Sequence, residues 1–205
     1  MYASSIINQI NLVSDQINKS KIKIILNNLE NNISQQLDGS VVEMGCYVGT
    51  TSLFIQKLLI HYDQISNFFV YDSFQGLPDK APEDLSVVGD QFQKFQLSCS
   101  KSDLITNFKK NNLPLPRITK AWFNQLTNQE LPKKIYFAFL DSDFYFSILD
   151  SLKLIWPVFN QKGTIIIDDY NREALPGVSK AVNVFFQHKK VKVKQVENLA
   201  IITNN

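Results

Sequence analysis

Two apolar runs in this chain end abruptly in clustered acids. Residues 137–140 give way to Asp141-Ser142-Asp143, and residues 165–167 give way to Asp168-Asp169. Apolar runs without alternation are the pattern of strands buried on both faces of a parallel sheet, and the carboxyl edge of such a sheet is where α/β proteins bind ligands. The two runs therefore restrict the fold to a covered, largely parallel sheet with four carboxylates on one rim. Like charges so close repel one another, and a hard divalent cation is the simplest reason to gather them.

The rest of the chain supplies a sheet of that kind. Ile6, Ile10, Val13 and Ile17 recur at helical spacing, as do Ile22, Leu26, Leu29, Ile33 and Leu37, which predicts two amphipathic N-terminal helices. A strand follows over 40–44, then a Gly-rich turn, a helix over about 50–62 and a second strand over 68–71 ending at Asp72. Residues 73–100 lack periodicity and read as a long surface loop with one helical turn, of the kind that is usually functional. Ser102-Asp103 is expected to cap a helix reaching Lys110, and a short third strand is expected within 117–123. The fourth strand covers 135–140. A helix carrying Ile148, Leu152 and Ile155 stops at Pro157, a fifth strand covers 164–167, and another helix follows Pro176. Alternation over 191–196, a turn at Glu197-Asn198 and a second run over 199–203 predict a closing antiparallel hairpin. The sum is an α/β fold with a seven-stranded, mostly parallel sheet and helices on both faces. It is read as one domain over 1–205, with an N-terminal helical extension over 1–38 and the core over 39–205.

At 205 residues the chain is long enough for one well-buried core and too short for two. A net charge of +2 with no dense basic block argues against nucleic acid as a partner. Cys46 and Cys99, the two cysteines, supply neither a disulfide framework nor a thiolate zinc site, which fits a reducing, cytoplasmic setting. No apolar run approaches membrane-spanning length and no signal-peptide pattern opens the chain, so neither a membrane nor secretion is expected.

Glu43-Met44-Gly45-Cys46-Tyr47-Val48-Gly49 places an acid at the end of the first strand and two glycines in the turn, while Thr50, Thr51 and Ser52 offer hydroxyls at a helix N-terminus. No Lys follows Gly49, which excludes a phosphate-binding loop, and a dinucleotide fingerprint is incomplete. An acid there suits a ligand bearing positive charge, such as an amino-acid ammonium group. A tight strand-to-helix connection with no ligand accounts for the turn equally well. Asp72 sits where nucleotide-binding sheets hold ribose hydroxyls, its alternative being a solvated loop cap.

Together with Tyr71-Asp72-Ser73-Phe74-Gln75-Gly76-Leu77-Pro78, Trp122-Phe123, Leu140-Asp141-Ser142-Asp143-Phe144-Tyr145 and Asp168-Asp169-Tyr170, the segment 38–52 resembles the macrocin O-methyltransferase family. These are class I, Rossmann-like enzymes that methylate sugar hydroxyls of natural products with S-adenosylmethionine. The resemblance covers residues 36–186. It implies that Glu43, Gly45 and Gly49 line the methionine end of the cofactor, with Tyr47, Thr50 and Ser52 in the same turn. Asp72 would hold the ribose, with Ser73 and Trp122 near the adenine. It further implies a magnesium ion on Asp141, Asp168 and Asp169, Asp141 also bordering the cofactor, and Asp143 as general base. Whether Asp141 or Asp143 takes the proton is left open. Phe146-Ser147-Ile148 departs from the acidic residue and Ser-Thr that commonly follow in the family, which bears on the acceptor side.

The implied acceptor is a small molecule with vicinal hydroxyls. A catechol-like phenol is an alternative, since a metal chelates it in the same way, and an inactive S-adenosylmethionine-binding relative is a third reading, against which the four acids argue. His61 and His188 lie away from any strand exit, and the lysines of 189–194 read as the wet face of an edge strand. Tyr145 and Tyr170 suit either an acceptor pocket or ordinary packing. The apolar stripes of the N-terminal helices suit a lid or a homodimer surface.

Overall fold

The computed structural model describes residues 2–204. Its centre is a seven-stranded sheet built from β1 (Ser40–Met44), β2 (Phe68–Asp72), β3 (Arg117–Lys120), β4 (Ile135–Leu140), β5 (Phe159–Ile167), β6 (Val191–Val196) and β7 (Leu199–Asn204), in the order β3-β2-β1-β4-β5-β7-β6. β1 pairs in parallel with β2 and β4, β2 with β3, and β4 with β5. β7 is antiparallel to both β5 and β6, so the expected hairpin closes the sheet. The order reverses between β1 and β4, which opens a crevice at the carboxyl ends of those strands.

The two faces of β1 show how burial on both sides fixes the layers. Val41 packs into a core with α2 (Lys19–Ser34), α3 (Thr50–His61) and α4 (Lys101–Lys110), whereas Val42 and Met44 face α5 (Tyr145–Ile155) and α6 (Pro176–Phe186). β4 is buried at every position, which is why its sequence carries no alternation.

Three elements depart from the expected ones. The first helix, α1, covers only Ala3–Ile6, and residues 7–18 form turns and irregular backbone although Ile10 and Ile17 are buried. Asn, Gln, Ser and Asp dominate that stretch and compete for backbone hydrogen bonds. The Ser14 hydroxyl instead bonds the Thr50 hydroxyl at 2.8 Å, drawing the segment across the start of α3. The cap of α4 is Ser100, not Ser102-Asp103: the Ser100 hydroxyl accepts from the Asp103 N–H, while the Asp103 carboxylate accepts from the Ser100 N–H in return. β5 begins at Phe159, five residues earlier than its apolar run, its opening stretch Phe159-Asn160-Gln161-Lys162 being half-buried or exposed and mostly polar and so unmarked by an apolar pattern. The loop 73–100 contains the single helical turn expected of it, at Pro82–Asp84.

Candidate active site

Backbone ladders carry the acids to the rim. Beyond the strands themselves, the Asp141 N–H donates to the Met44 carbonyl and the Asp168 N–H to the Leu140 carbonyl, both at 2.9 Å. Each exit then turns sharply. Tyr47, Phe74, Asp143 and Asp169 all have φ between 49° and 60°, in the left-handed region that costs a non-glycine residue energy and clusters at functional sites. Gly45 is required where two exits touch: at φ 84° an added Cβ would lie 1.9 Å from the Asp141 carbonyl oxygen.

These turns enclose a cleft at the carboxyl ends of the parallel strands, the edge at which α/β sheets bind ligands. Of the residues singled out from sequence, Gly45, Tyr47, Asp72, Ser73, Trp122, Asp141, Asp143 and Asp169 line it. Glu43, Gly49, Thr50, Ser52 and Asp168 do not border the cleft; they stand behind its wall. Glu43 is buried under the turn and accepts a hydrogen bond from the Ser52 hydroxyl. Burial raises its carboxyl to about 8, opposed by that bond. Asp72 braces the turn from the side: one oxygen accepts from the Cys46 and Tyr47 N–H groups at 2.8 and 3.0 Å, the other from the Phe74 N–H at 2.7 Å.

The opposite wall is electrostatically different. One carboxylate oxygen from each of Asp141, Asp143 and Asp169 falls within 4.8 Å of the other two. Burial, then the charges of Asp169 and Asp168, push Asp143 to about 7. Burial and the charges of Asp168, Asp143 and Asp169 raise Asp141 well above the carboxylate range. The trio that converges thus shares Asp141 and Asp169 with the ligand set implied by the family resemblance and has Asp143 in place of Asp168. Asp168 Oδ1 instead accepts from Lys21 Nζ at 2.5 Å and from the Asp169 N–H at 2.7 Å. Oxygen-only donors under mutual repulsion, with an ammonium already drawn to them, fit a hard cation.

Three lining or neighbouring side chains escaped the sequence reading. Gln16 reaches the cleft from the irregular N-terminal segment. The Arg172 guanidinium donates to both oxygens of Asp169 at 3.0 Å and stacks over Phe92, 5.0 Å from the ring centroid. Lys21 carried a signal that went unread, since it extends the buried stripe of Ile25 and Leu29 by one helical turn with a charge. His61 stacks on Tyr2 with ring centroids 3.6 Å apart and does not line the cleft.

A parallel-centred sheet reversing at β1/β4, with a glycine turn after β1, an acid after β2 and an acid cluster after β4 and β5, is the architecture of class I, Rossmann-like methyltransferases. The fold matches the O-methyltransferase NovP with a TM-score of 0.77 at 21% identity, covering 92% of this chain and 81% of that one. The chain belongs to the family described as Macrocin-O-methyltransferase (TylF), whose model matches residues 12–202. It is similar to the 8-demethyl-8-(2,3-dimethoxy-alpha-L-rhamnosyl)-tetracenomycin-C 4'-O-methyltransferase of Streptomyces olivaceus, 27% identical over 154 residues. That alignment covers 71% of this chain and 58% of the relative. The Mycinamicin III 3''-O-methyltransferase of Micromonospora griseorubida is 27% identical over 184 residues, covering 84% of this chain and 71% of the relative. The chain therefore spans little more than half the length of the first of these relatives. Among the described residues no helix is long and apolar enough to cross a membrane.

Proposed function

We infer that this chain is an S-adenosylmethionine-dependent O-methyltransferase that methylates a hydroxyl of a sugar or glycosylated natural product with the help of a divalent cation, magnesium being the natural choice. The observation that carries the reading is the two-walled cleft, in which the Gly45–Tyr47 turn and Asp72 face Asp141, Asp143 and Asp169 across one cavity. In this reading Asp72 and the turn hold the ribose and methionine end, Ser73 and Trp122 border the adenine, and Asp141, Asp168 and Asp169 hold the cation. When bound, the sulfonium supplies an already activated methyl group and the cation supplies the Lewis acidity that makes a vicinal hydroxyl acidic.

The chain's own contribution is alignment and proton removal. Asp143, raised to about 7, is matched to taking the hydroxyl proton near neutral pH as the oxygen attacks. Arg172 donates to both oxygens of Asp169 and so holds that carboxylate in place. Gln16 and Phe92 border the same cavity, where an acceptor would lie.

Incubating the purified chain with S-adenosylmethionine and a panel of glycosylated and catechol acceptors, with magnesium or with chelator, tests this. Methylation of a sugar-bearing acceptor that stops with chelator is expected. Turnover of catechols alone would move the substrate class. Cofactor binding with no methylation of any acceptor would favour a binding protein, and undiminished turnover in chelator would remove the cation.

A further inference from the structure

Lys21 is an expensive residue where it stands. It occupies the first turn of α2, its N–H donated to the Asn18 cap at 2.9 Å, and its side chain is 11% exposed. Its Nζ lies 2.5 Å from Asp168 Oδ1 and 3.4 Å from Asp169 Oδ1. Burial works against its charge, and Asp168, Asp169 and Asp141 outweigh that effect. Anchoring the helix does not account for it. Ile22, Ile25, Leu26 and Leu29 of α2 are fully buried, and an apolar residue at 21 would continue that stripe without desolvating an ammonium. What Lys21 does that no apolar residue can is answer the rim's charge. Four carboxylates meet there, and among the described residues two side-chain cations, Lys21 and Arg172, pair with them.

We propose that Lys21 is a displaceable internal counter-ion, seated on the Asp168–Asp169 pair in place of a divalent cation and setting how tightly that cation is retained. The inference rests on the metal-assisted reading above and goes beyond it by naming a competitor within the chain. Asp168 Oδ1 already accepts two hydrogen bonds, one of them from Lys21. A cation coordinating that oxygen at about 2.0–2.1 Å requires Nζ to withdraw. The helix need not move for this, because the lysine stem has four rotatable bonds. Lys21 is thus a positioning residue, acting on the acceptor only through the acids.

The test is a calorimetric titration of the full chain, free of acceptor, with Mn²⁺, supported by the change in melting temperature on adding Mn²⁺. Lys21→Met and Lys21→Gln should each bind Mn²⁺ at least tenfold more tightly than the unmodified chain and gain more in melting temperature. Either variant suffices if the other fails to fold. A merely structural ion pair predicts the reverse, since losing it would loosen Asp168 and weaken binding. Equal or weaker Mn²⁺ affinity in the variants, with the unmodified chain binding, overturns the role of Lys21 and leaves the metal-assisted reading intact. No Mn²⁺ binding by any of the three proteins, with S-adenosylmethionine still bound, overturns both.

Discussion

The two walls of the cleft are both acidic and behave in opposite ways. On the β1/β2 side each carboxylate has fixed partners within the protein: Asp72 accepts three backbone N–H bonds, and Glu43 is buried against the Ser52 hydroxyl. On the β4/β5 side Asp141 and Asp143 face Asp169, and burial together with mutual repulsion opposes their ionisation. One wall is finished by folding and serves as a frame. The other holds electrostatic repulsion that a cation or a proton relieves, so its acids lower the stability of the ionised fold.

The most damaging way to break this contrast is to separate the walls where they touch. Gly45→Ala, with its Cβ placed 1.9 Å from the Asp141 carbonyl oxygen, should lower stability by about 3–5 kcal/mol in urea denaturation. A loss under about 1 kcal/mol would mean that the walls move independently. Single acids should then respond with opposite signs. Asp143→Asn should cut methyl transfer by a factor of about 10²–10⁴ while stabilising the metal-free protein at pH 8 by ~1–3 kcal/mol. The sign follows from a folded-state value near 7, above the ordinary carboxylate range: native stability is lost as pH rises from about 4 to about 7, and Asn has no proton to lose. Asp72→Ala should instead destabilise the protein and weaken S-adenosylmethionine binding, by ~1.5–3 kcal/mol for each charged hydrogen bond lost. Stabilisation by Asp72→Ala would erase the distinction between the walls.

Glu43 refines the comparison, because it belongs to the finished wall yet is held near 8 by burial. Stability should fall as pH rises from about 4.5 through about 8, the range in which the unfolded chain is ionised and the folded one is not. Glu43→Gln should come close to the unmodified chain at pH 4 and exceed it by ~1–3 kcal/mol at pH 8.5. Coincident denaturation curves at both pH values would show that Glu43 ionises freely. Ser14→Ala, which removes the 2.8 Å bond to Thr50, should cost no more than about 1 kcal/mol and leave cofactor affinity unchanged. A larger effect would make the N-terminal segment part of the frame.

Much of the sheet was readable in the chain because strands buried on both faces leave no choice but apolar runs, and the acids stop those runs where the backbone leaves the core. The C-terminal hairpin was readable for the complementary reason, since Val191 to Val196 alternate on an edge. The N-terminal segment was not. Ile6, Ile10 and Ile17 have helical spacing and are indeed buried, but spacing reports burial, not hydrogen bonding, and a chain draped over α3 buries the same residues without a helix. The cleft was half legible. Residues at strand exits could be ranked by position, whereas Gln16, Lys21 and Arg172 come to the rim from elements whose distance from it only the fold reveals. Glu43, Thr50 and Ser52 illustrate the converse, since adjacency to the glycine turn in sequence places them behind the wall.

The carboxylate of Asp84 fastens the middle of the segment 73–100, accepting from the Ala81 N–H at 2.9 Å and from the Tyr145 N–H at 2.7 Å at the start of α5. The two limbs of this loop are also tied to each other, the Leu77 N–H donating to the Gln96 carbonyl and the Phe95 N–H to the Leu77 carbonyl, both at 2.9 Å. At the tip of the loop Val87 is 97% exposed, so this tip is where amide exchange and proteolytic nicking should concentrate. One limb carries Ser73, Gly76, Leu77 and Pro78 to the cleft and the other carries Phe92 and Leu97, and the amides bonded between the limbs should exchange slowly even while the tip is cut. A nick near Val87 would leave both limbs bonded beside the cleft, which makes the tip a natural point for insertions that do not rebuild the cleft's lining.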